Sequence, residues 1–165
     1  MGNAFQILRI LGIPVRIHYS WFLIFLLVTW TLAAGYFPSK IANLSPLLLW
    51  GISVATALLF FASILFHELA HSFTAQRYGI SIQGITLFVF GGVAQMVGES
   101  RDPKSEMWIA AAGPIASFGL AAFFGGTDFF FIEDSARSPL SAVLGFLALS
   151  NGILALFNLV PGFPL

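Results

Sequence analysis

Cysteine is missing from all 165 residues, so no disulfide framework and no thiolate ligand is available. Any metal would rest on nitrogen and oxygen donors. Charge is nearly as scarce: 8% of residues are Asp, Glu, Lys or Arg, with seven acidic side chains against seven basic. No run of Lys and Arg gathers along one element, which excludes a nucleic-acid footprint. The opening Met1–Gln6 lacks the serine or threonine that an N-myristoylation signal places sixth. What fills the chain instead is apolar. Hydrophobic residues make up 58% of it, mean hydropathy is +0.93, and Ile41 to Phe66 contains no charge at all. These values lie outside the range of soluble domains and describe an integral protein of the lipid bilayer.

A helix crossing a hydrocarbon core ~30 Å thick needs about 20 mostly apolar residues. Four segments meet or approach that length, at about 21–37, 46–77, 107–124 and 140–160. Arg9 and Arg16 ahead of the first one imitate a secretory signal, yet the spans downstream favour a retained transmembrane helix. The second stays unbroken because neither Gly nor Pro follows Gly51 until Gly79, and its end is amphipathic. Between the second and third spans, residues 80–98 are β-branched and aromatic, interrupted by Gly91-Gly92, which is a hairpin pattern. Residues 10–18 alternate loosely and are a further candidate strand. The expected fold class is therefore an all-α polytopic membrane protein of about four helices, with a small β-hairpin or sheet on its cytoplasmic side. Arg9, Arg16, Arg77, Arg101 and Lys104 share one side of the membrane and only Lys40 and Arg137 the other. The positive-inside rule then puts the N-terminus in the cytoplasm of a multi-pass cell-membrane protein.

His67-Glu68-Leu69-Ala70-His71 closes the uncharged run. On a helix, side chains four apart lie one above the other, so His67 and His71 can offer two imidazole nitrogens to one metal with Glu68 beside them. Two imidazoles and a carboxylate are costly in hydrocarbon unless they have work or partners. A hydrolytic zinc site usually has three protein ligands and leaves the fourth position to water, and the motif supplies only two. His18 precedes the first span, while Glu99, Asp102 and Glu106 surround Arg101 and Lys104 in an expected polar loop. None of them offers itself as the third donor. Ala110-Ala111-Ala112-Gly113-Pro114 would let the third span pack closely on a neighbour. Ser150, Asn151 and Asn158 place polar groups in the fourth, where a hydrated cavity and interhelical hydrogen bonds are both open readings.

Five segments in order resemble the site-2 protease family of intramembrane zinc metalloproteases. They are Ile13–His18, the His67–His71 motif, Phe90-Gly91-Gly92, Ala112-Gly113-Pro114 and Asn158–Leu165. The resemblance implies one Zn2+ per chain held by His67 and His71, with Glu68 as the catalytic base. The last segment is similar to the family's Asn-x-x-Pro-x-x-Pro-Leu-Asp-Gly, whose Asp is the third ligand, and the sequence ends at Leu165, one residue before it. The chain thus reads as part of a longer protein that binds metal weakly by itself. The resemblance further implies a transmembrane protein as substrate, cut by hydrolysis of a peptide bond in or near its span. It assigns the Gly91-Gly92 hairpin edge to holding that substrate as an added strand, and Asn158 is a candidate for contacting substrate or the oxyanion. The stretch from Gly125 to Leu140 is too short for a PDZ domain, which points to the branch without that insertion, whose members often carry further helices and a CBS domain.

The rival reading is a non-catalytic membrane protein, either a pseudoprotease scaffold or a metal-transporter subunit. A transporter would be expected to show internal repeats with paired broken helices, and the two halves of this chain share no self-similarity.

Overall fold

Four long apolar helices and a four-stranded sheet make up the computed structural model, which describes residues 4–98, 102–131 and 138–160. Strands β1 (Ala4–Ile10) and β2 (Ile13–His18) lead into helix α1 (Ser20–Thr31). A π-helical turn over Leu32–Tyr36 and the short α2 (Phe37–Lys40) extend α1 into one apolar element of 21 residues. Helix α3 (Pro46–Arg77) follows, then β3 (Ser81–Phe88), β4 (Gly91–Val97), α4 (Pro103–Phe131) and α5 (Pro139–Asn158). All four helical elements are long and apolar enough to cross a membrane. The third, α4, is longer than hydropathy alone marks out, because Asp102 starts it in polar sequence. Its carboxylate accepts from the Ser105 N–H at 2.9 Å, and this hydrogen bond holds the carboxyl below its ordinary range.

Helix α3 is the spine. Ser45 caps its start by accepting from the Leu48 N–H at 3.4 Å, and Pro46 occupies the first turn, where its missing N–H costs nothing. Inside, Ser53, Thr56 and Ser63 are buried, and each hydroxyl donates to the carbonyl four residues back, so these three satisfy their hydroxyls within the helix. It ends where Gly79 turns left-handed at φ +80°, with Ile80 N–H reaching back to the Ala75 carbonyl and Gly79 N–H to Gln76. Thirty-two residues at 1.5 Å each make α3 about 48 Å long, well beyond the hydrocarbon thickness.

The sheet runs β1-β2-β3-β4, with β2 and β3 parallel and the other two pairs antiparallel. It lies at the C-terminal end of α3. Ile17 and Leu87 from the sheet join Trp21, Phe61 and Ile64 in one buried cluster, which ties β2 and β3 to α1 and α3. A second cluster of Leu32, Phe37 and Ala57 closes the opposite end. Among the described residues β4 pairs on one side only, and its inner part packs against α3.

Candidate metal centre

The two motif histidines sit on α3 about 10 and 15 Å from its C-terminal end, counted at 1.5 Å per residue. His67 is buried at 2% exposure and Glu68 at 7%. The rings of His67 and His71 meet edge to face, and their Nε2 atoms lie 3.1 Å apart. Each Nδ1 is engaged on the far side. His71 Nδ1 lies 2.7 Å from the Ile109 carbonyl oxygen and His67 Nδ1 2.8 Å from Ser117 Oγ. A carbonyl only accepts, so His71 carries its proton on Nδ1 and presents a bare lone pair at Nε2.

Helix α4 closes over this pair because Gly113 has no side chain. A Cβ there would collide with His71 Nε2 and lie 2.6 Å from His67 Nε2, so the space left by the missing methyl borders both nitrogens. Two nitrogens bound to a tetrahedral zinc at about 2.0–2.1 Å stand about 3.3 Å apart, close to the spacing found here. The donor chemistry, the anchored rings and the cradle at Gly113 all suit such an ion. Pro114 is fully buried in the same contact, and α4 continues through it without a break.

Glu68 packs against the sheet. At Gly92 a Cβ would lie 2.5 Å from Glu68 Cγ and 3.1 Å from Cδ, so β4 can approach this carboxylate only with glycine at that position. Its neighbour Gly91 serves a different need: it takes φ +125°, a conformation that L side chains rarely adopt, as the hairpin turns. A cleft of about 230 Å³ opens beside them, lined by Glu68, His71, Val93, Met96, Glu106 and Ile109 among others. Asn158, on the last turn of α5, donates from Nδ2 to the Leu154 carbonyl at 2.8 Å, on the side of α5 near His67.

No third His, Cys, Asp or Glu joins the pair among the described residues. His18 is held at the end of β2, its Nδ1 2.8 Å from Ser20 Oγ, and Glu106 contributes only to the cleft wall. Glu99 and the segment Pro161–Leu165 lie outside the described residues. The Ala110–Pro114 seam foreshadows the close helix contact but not what Gly113 admits. Ser117 carried no signal of its own; only its spacing of four from Gly113 and eight from Ile109 puts the three on one face of α4.

A sequence model of peptidase family M50 matches residues 55–132. The fold superposes on the solved site-2 protease from Methanocaldococcus jannaschii with a TM-score of 0.69 and 33% identity, covering 98% of this chain and 67% of that one. The chain belongs to the site-2 protease family. Its relatives include proteins that bear the name zinc metalloprotease. It is 38% identical over 165 residues to Rip3 of Mycobacterium tuberculosis and 41% identical over 165 residues to a protein of Synechocystis, both so named. Each alignment takes in 100% of this chain and 42% of the relative, so the chain spans about two fifths of their length.

Proposed function

We propose that this chain is the catalytic core of an intramembrane zinc metalloprotease, with His67 and His71 as two zinc ligands and Glu68 as the general base. The observation that carries the reading is the pair of Nε2 atoms 3.1 Å apart on a membrane helix, with the next carboxylate buried against the sheet. When bound, zinc supplies Lewis acidity, polarising a carbonyl oxygen and acidifying water. The chain's own groups do the rest. Glu68 accepts the proton of the attacking water and returns it to the leaving amine nitrogen. The low-dielectric walls of the bundle keep bulk water from competing with the scissile amide.

The substrate in this reading is a membrane protein that unwinds part of its own span. A freed segment loses its helical hydrogen bonds, and the edge strand β4, starting at Gly91-Gly92, offers replacements by strand addition beside Glu68. Asn158, near His67, is the candidate for contacting the substrate or the developing oxyanion. The missing third ligand is assigned to an Asp following Leu165 in the full-length protein, a proposal drawn from the family pattern. The basic residues Arg9, Arg16, Arg77, Arg101 and Lys104 favour a cytoplasmic N-terminus, which puts the sheet and the site toward the cytoplasmic face of the cell membrane.

The test is Glu68→Gln in the full-length protein, assayed on a panel of single-span membrane proteins in detergent. The variant should keep its zinc while cleavage falls at least a thousandfold. Cleavage at the wild-type rate would remove Glu68 from the mechanism.

A further inference from the structure

Helix α4 presents Ile109, Gly113 and Ser117 at four-residue intervals to His71 and His67, which are themselves four apart on α3. The helices run in opposite senses at this contact. His71 therefore meets the N-terminal member, His67 the C-terminal one, and Gly113 faces the space between. The two imidazoles are oriented by different means. The Ile109 carbonyl is part of the backbone and holds His71 whatever the side chain at 109. At His67 Nδ1 the partner is a side chain: Ser117 Oγ, 2.8 Å away, in a residue with no solvent exposure.

We infer that Ser117 is a positioning residue for the metal centre: its hydroxyl, hydrogen-bonded to His67 Nδ1, holds the ring plane that turns Nε2 toward His71 Nε2. The argument rests on the proposed zinc site and extends it to a residue outside the motif. Imidazole must carry its proton on one nitrogen or the other, and only the Nδ1–H form leaves Nε2 free to bind. Without the hydroxyl at 117 the ring loses this anchor at Nδ1 and can turn Nε2 away from His71, which weakens a ligand. Partners of this kind behind metal-bound histidines typically contribute about 10–100-fold in metal affinity.

Ser117→Thr and Ser117→Val separate this role from packing, because they share a shape and differ only in the hydroxyl. Zinc affinity of each purified full-length variant is measured by competition with a chromophoric chelator, beside wild type, Ser117→Ala and His67→Ala. The Val and Ala variants should bind zinc about 10–100-fold more weakly than wild type, with Thr at least tenfold tighter than Val. Equal affinity of Thr and Val would overturn the inference; if those two do not fold, Ala at wild-type affinity would do so. The underlying reading fails separately. In that case wild type itself would hold no zinc, or His67→Ala would bind it as tightly as wild type.

Discussion

Two polar clusters interrupt the apolar bundle, one toward each end of α3, and they are built on opposite terms. At the sheet end both imidazoles have a partner behind them, and glycines admit α4 and β4 to close contact. At the other end Tyr36, Lys40, Asp128, Ser138 and Ser141 surround a cavity of about 240 Å³. There the Tyr36 hydroxyl donates to the Ala142 carbonyl at 2.9 Å, yet the buried Oδ1 of Asp128 has no hydrogen-bond partner among the described residues. The difference separates polarity that directs from polarity that is merely accommodated. Fixing a ring requires a specific acceptor at a specific distance, whereas a roomy polar cavity tolerates a carboxylate with no assigned geometry.

Substitutions that treat the two ends alike sharpen the contrast. Gly92→Ala should have the larger effect. The added methyl meets Glu68 at Cγ and must displace it, and a shift of about 1 Å in a catalytic group costs on the order of a hundredfold in rate. Zinc content should not change, since both imidazoles are held from behind by α4. Steady-state cleavage with parallel metal analysis reads both, and an active Gly92→Ala variant would break the claim that the glycine exists for Glu68. Asp128→Ala should have the smaller effect, and in the opposite sense. Its buried Oδ1 makes no hydrogen bond among the described residues, so thermal unfolding in detergent should occur at the same or a higher temperature, with zinc affinity unchanged. A marked fall in melting temperature would show that the far cluster is as tightly organised as the near one.

How much of this was legible in the sequence follows from which forces act locally. Hydropathy and the lack of breakers mark the four helical elements, and the His-Glu pattern marks the chemistry because its spacing acts within one helix. Gly91-Gly92 marks the hairpin, but not that one glycine answers a backbone angle and the other a carboxylate on a different element. Strand β1 gives no such sign. Its residues are largely exposed, so Ala4–Ile10 has no strict alternation, and its pairing with β2 is fixed through the turn at Leu11-Gly12, where both residues take positive φ. Ser117 was illegible for a related reason. A lone serine in an apolar helix normally bonds its own backbone, and only the antiparallel alignment of α3 and α4 turns this one toward His67.

Zinc per chain in the detergent-purified full-length protein, wild type beside His71→Ala, bears most directly on the claim that α3 holds a metal beneath Glu68. The account predicts about one zinc per wild-type chain and a loss of more than nine-tenths of it in a folded His71→Ala variant. Full zinc occupancy in that variant, or a wild-type protein that cleaves substrate without stoichiometric metal, would contradict it.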